Sequence, residues 1–133
     1  MTALTKNTPR TRVGIGQRFR DPVAATTRIF AGAMVALNAT GFAVKAAPSA
    51  TRIRGVALDE ADNSAGAAGD VAVDIERGPF LVANDTTNPV TRAHIGGTVY
   101  VVDDTTVGSS ATGTIAAGKC LDVTPEGVVV EIL

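Results

Sequence analysis

Few residues of this chain are spaced to do covalent chemistry. Gly113-Thr-Ile-Ala-Ala-Gly118-Lys119-Cys120 carries the spacing of a phosphate-binding loop. Such a loop also needs a hydroxyl at the last position to hold Mg²⁺ and a helix whose N-terminus meets the phosphate. Cys120 replaces the hydroxyl, and Leu121-Asp-Val-Thr-Pro125 reads as a strand entering a turn, so the segment is a glycine-rich turn. Gly14-Ile-Gly16 has neither the third glycine nor the strand–helix setting of a dinucleotide fingerprint. Paired carboxylates occur at Asp103-Asp104 and at Asp59-Glu60-Ala61-Asp62. Such pairs can run acid–base chemistry or hold Ca²⁺, but neither has the calcium-loop spacing, so both read as solvated loop or strand-end residues.

A single histidine, His94, has no second imidazole or second cysteine with which to build a metal site. A single cysteine, Cys120, makes no internal disulfide and reads as a small core residue. Asn38-Ala-Thr40 and Asn84-Asp-Thr86 fit the glycosylation pattern without any signal for secretion. No nucleophile–base set is visible among the serines and threonines. The expectation is a protein that is not an enzyme and uses no cofactor or metal.

The remaining chemistry is ionic. Residues 1–20 contain Lys6, Arg10, Arg12, Arg18 and Arg20 and no acid, whereas residues 21–133 contain 7 basic and 13 acidic residues. The net charge of −1 therefore conceals a basic leader of +5 ahead of a body of −6. The leader shows no strand or helix period and is too poor in apolar residues to bury itself. It reads as an extended interaction arm over residues 1–22, with residues 23–133 as the body. Arg10, Arg12, Arg18 and Arg20 are its candidate polar anchors. Val13, Ile15 and Phe19 are the apolar ones. Nucleic acid is a poor partner, because one phenylalanine gives little stacking and the acidic body repels a polyanion. Arginine forks match carboxylates, so an acidic or carbonyl-rich protein surface fits better.

The elements that must position these residues are strands. The 133 residues include 22 Ala, 17 Val, 17 Thr and 14 Gly but only five aromatics, a composition of small, β-branched and turn-forming residues. Both Gly32–Lys45 and Gly118–Glu131 read as hairpins, with alternating apolar residues on either side of a turn. The Thr124-Pro-Glu-Gly127 turn has proline second and glycine fourth, as a type I turn prefers. Gly69–Val82 reads as a third hairpin, with Val71, Val73 and Ile75 on one face. Ile53–Leu58 and Thr98–Val102 suggest further strands. Residues 61–68 read as a loop, and residues 84–97 as a connection with one short helix. This pattern predicts an all-β fold, a small barrel or sandwich of short strands and hairpins with an extended N-terminal arm. No apolar run is long enough for a membrane-spanning helix.

Together these stretches resemble a known family. Thr27–Ala46, Gly55-Val-Ala57, Asp62–Val73, Arg77-Gly-Pro-Phe80, Asn88-Pro-Val-Thr91, Ile95–Val107, Ala117–Val123 and the closing Gly127–Ile132 follow one another as in the capsid cement, or head decoration, proteins of tailed bacteriophages, especially those of Mu-like heads. The resemblance spans about residues 22–133. It implies a β-rich homotrimer on the outer surface of an icosahedral head, made in the host bacterial cytoplasm. There it would bind the major capsid protein at capsomer junctions, without nucleic acid or membrane. The alternative is a head-displayed fibre or host- and glycan-binding module. That reading needs exposed aromatics, whereas Phe42, Phe80 and Tyr100 all sit in strand patterns.

Overall fold

A computed structural model describes Lys6 and residues 17–133. Among these the chain forms twelve strands and one 3-10 turn, η1 (Arg92–His94). The fold is all-β, as the alternation predicts. Five strands make a sheet in the order β1 (Arg18–Pro22), β7 (Ala72–Glu76), β5 (Arg52–Ala57), β3 (Met34–Leu37), β4 (Ala43–Lys45). Five others close a barrel in the order β10 (Thr106–Gly108), β8 (Gly78–Asn84), β12 (Gly127–Ile132), β11 (Ala116–Thr124), β9 (Thr98–Val101). All barrel pairs are antiparallel except β8 with β10, whose parallel pairing closes the ring. A small ribbon of β2 (Thr27–Ile29) and β6 (Ala61–Asn63) stands beside them.

The open sheet also bends toward closure. Just past β1, Val23 bridges in parallel to Ala43 of β4, and the Ala24 N–H donates to the Ala43 carbonyl. Asn63 locks this corner. It is the one buried polar residue among those described, and its Nδ2 donates to the carbonyls of Val23, Ala24 and Ala67.

Two cores follow, and the sheet lies between them. Met34, Ala36 and Val56 pack with the barrel interior, where Val99, Val101, Val128, Val130 and Ile132 are buried. Val35, Ala57, Val73 and Ile75 pack on the other side with Val23, Ile29 and Ala61. Consecutive side chains of a strand point to opposite faces, so β3 and β5 each feed both cores. This is why Met34-Val-Ala36 reads as a continuous apolar run rather than an alternation.

Three sequence expectations are corrected. Gly69–Val82 is not a hairpin: β7 pairs with β1 and β5, whereas β8 pairs with β12 and β10. One intervening residue, Arg77, is too short a loop, and Gly78 at φ +144° turns the chain from sheet to barrel. Residues 61–63 form a strand rather than a loop. Residues 18–22, assigned to the arm, are β1 itself, so the folded body starts ahead of residue 23.

Because β3 and β5 serve both cores, the body should unfold in one transition. Ile75→Ala, at a fully buried position of the second core, should cost about 2–5 kcal/mol. Denaturant melts followed by circular dichroism and by labelling of Cys120 should shift together. Separate midpoints for the two probes would show that the cores are independent.

Candidate docking surface

The candidate anchors divide at residue 17. Arg10, Arg12, Val13 and Ile15 lie outside the described residues. Arg18, Phe19 and Arg20 lie on β1, an edge strand whose inner side pairs with β7 over five register positions. Among the described residues no strand pairs with the outer side of β1.

Alternation on β1 sorts its side chains. Arg18 and Arg20 stand opposite Glu76 and Asp74 of β7, a cross-strand arrangement of opposite charges. Arg20 completes a salt bridge to Asp74 at 3.0 Å, with both groups largely in water. Such a pair contributes little, about 0–1 kcal/mol. The Arg18 side chain forms no ion pair or hydrogen bond among the described residues.

Phe19 and Asp21 face the other way and meet a clasp. The β3–β5 register slips between Val35 and Ala36: Val35 faces Gly55, Ala36 faces Ile53, and Arg54 is the extra residue. A bulge re-aims the side chain it carries. The Arg54 guanidinium lies 3.7 Å from the centroid of the Phe19 ring. It also grips Asp21 with two bonds, Nε donating to Oδ2 at 2.6 Å and Nη2 to Oδ1 at 3.1 Å. The Arg54 and Asp21 side chains are only 22% and 14% exposed, so this pair is screened far less than Arg20–Asp74. Arg77 adds a second cation 5.1 Å from the Phe19 centroid, and its Nε donates to the Arg54 carbonyl. Its own N–H donates to the Gln17 carbonyl, which extends the hold to the residue before β1.

Beside the clasp, Arg18, Phe19, Arg20, Leu58, Asp59 and Asp74 line a shallow groove of about 450 Å³. The surface therefore offers a free strand edge, the Arg18 guanidinium outside any direct ion pair and a partly exposed leucine. It suits an extended polypeptide carrying acceptor groups. Asp21, Arg54, Arg77 and Leu58 were not among the anchors expected from sequence. The only signal was the Arg-Phe-Arg-Asp alternation ahead of Pro22, four residues long.

The other residues singled out for chemistry have structural roles here. Glu60 and Asp62 flank Arg28, with Glu60 bonded at 2.6 Å. Asp62 also accepts from the Ser64 hydroxyl and N–H; these bonds, with Arg28 adding to them, hold its carboxyl below the usual carboxylate range. Asp103 caps the turn at Thr105. The His94 Nδ1 accepts from the Thr91 N–H at 2.9 Å and so closes η1. Gly113–Cys120 runs into β11, with no helix after it. Cys120 is fully buried, and burial pushes its thiol pKa up. Among the described residues no group of three or more His, Cys, Asp or Glu is arranged to hold a metal ion, and no helix is long and apolar enough to cross a membrane.

Arg54→Ala should release β1 while leaving the barrel intact. It leaves the mostly buried Asp21 without its charged partner, a loss of about 1.5–3 kcal/mol. Amide exchange of residues 18–22 should accelerate while that of β11 and β12 does not. Arg54→Lys should rescue only part of the effect, since a lysine cannot supply the two-pronged bond. Unchanged exchange in β1 would remove the clasp from the account.

No protein-family model, curated protein or solved structure matches this chain.

Proposed function

We propose that this protein is a virion structural protein: a capsid cement that decorates the outer surface of a tailed-phage head. The observation that carries this reading is the root of the basic arm. Its last residues are a strand of the body, held by a part-buried ionic and cation–π clasp, with the outer edge and Arg18 left for a partner. The sequence resemblance over residues 22–133 points the same way, and so does the all-β body.

In this reading the arm lies on the major capsid protein and the body ties capsomers together as a homotrimer. Packaged DNA loads the junctions between capsid subunits from inside. A clamp across a junction adds contacts that must break before the subunits part. Single-arm contacts can be weak, because the first arm to attach raises the effective concentration of the others. Linking sites in this way strengthens binding by about 10²–10⁴-fold without any new contact type. Tension on an arm would pass along β1 into Asp21 and Arg54, and from there into β5. The protein performs no catalysis in this role and takes no cofactor.

Deleting residues 1–16 spares β1 and the clasp, so the body should remain folded. The truncated protein should lose co-sedimentation with bare heads. Undiminished co-sedimentation would refute the arm's role. Packaged heads lacking the protein should release DNA at a lower temperature than decorated ones, and equal release temperatures would refute cementing.

A further inference from the structure

We infer a second binding site, for a carboxylate-bearing saccharide, in the groove beside β2 and β4. It shares no lining residue with the β1 surface and does not depend on the capsid role. Its volume is about 440 Å³, within the size of small-ligand sites at about 300–1,000 Å³. Phe30 lines it and is 55% exposed, the only one of the four phenylalanines that is largely in water. An exposed aromatic is the feature that a glycan-binding reading requires. Phe42, Phe80 and Tyr100 do not supply it, being half-buried.

The polar groups of the groove set the ligand's chemistry. Among the described residues the Lys45 ammonium has no salt bridge and the Ser49 hydroxyl no hydrogen bond. Asn38 spends its Oδ1 on the N–H groups of Thr40 and Phe42 and on the Thr40 hydroxyl, which leaves its NH₂ unused. What remains is the Asn38 NH₂ donor, a Ser49 hydroxyl that can donate or accept, and the Lys45 charge outside any ion pair. A ligand rich in acceptors, with an anionic group for Lys45, fits this set. Val44 and Ala50 supply apolar wall beside Phe30.

The electron-rich face of an aromatic ring attracts positively polarised C–H groups. A pyranose presents a face of such groups and a rim of oxygens. Arg28 sits 4.9 Å from the Phe30 centroid, and its charge is taken up by salt bridges to Glu60 and Asp62. It thus holds the ring without adding a second free charge. A nucleic acid would bring a phosphate for every base to a body of net charge −6 over residues 21–133. A single carboxylate on a sugar answers the single free lysine.

The test uses the full chain on an array of carboxylated and neutral bacterial glycans, with Phe30→Ala and Lys45→Ala alongside. Both positions are exposed, and matching thermal melts verify that the variants fold. Retention of carboxylated glycans over neutral ones, weakened at least tenfold in each variant, is the expected result. No retention of carboxylated glycans, or retention that both variants keep, would overturn the site. Preference for single-stranded nucleic acid over every glycan would overturn it too. Both variants should still co-sediment with heads, which separates this site from the capsid role.

Discussion

Most of this architecture depends on two adjacent strands being buried on both faces. β3 and β5 separate the barrel interior from the second core, so Met34–Ala36 of β3 and Gly55–Ala57 of β5 have no solvent face. That constraint selects small side chains. Where β5 passes β7, a Cβ on Gly55 would come within 2.6 Å of the Glu76 carbonyl oxygen, so the two strands can approach only at glycine. The alanines and valines of the two cores suit layers packed this close together. Interiors packed at crystal-like density leave little slack for larger residues.

The same constraint explains where charge enters. The bulge on β5 falls at Arg54, next to Gly55, and sends a guanidinium out from a doubly buried strand to the sheet's edge. Edge strands in a monomer are usually protected by charge, proline or bulges. β1 has arginines and a terminal proline, yet its inner-face residues Phe19 and Asp21 are tied by Arg54 to β5. An arm rooted there is joined to the body by the β1–β7 ladder and, through the Arg54 side chain, to the strand shared by both cores. For a protein proposed to hold a loaded shell together, that is a short mechanical path from partner to core.

The fold class was legible because alternation survives wherever one face meets solvent. β7 shows it, with Val73 and Ile75 buried and Asp74 and Glu76 half-exposed. The hairpin of β11 and β12 was legible from its turn, where Gly127 at φ +150° follows Pro125. Errors arose where a local pattern meets a non-local decision. The assignment of β7 and β8 to different sheets is set by partners distant in sequence, and no turn chemistry at Arg77-Gly78 announces it. The bulges at Arg54 and Leu121 break the period by one residue, which sequence alternation cannot reveal. The candidate site was half-legible for the same reason. The arginines were visible as charge, but the residue that grips Phe19 and Asp21 between them comes from a strand more than thirty positions away.

A reconstruction of decorated heads at side-chain resolution tests the central claim most directly. The account predicts density for three copies around each junction, residues 1–16 lying on the coat protein and β1 at the contact, with Arg54 still closed on Asp21. Bodies seated through the outer barrel wall, with β1 and the leader turned to solvent, would contradict it.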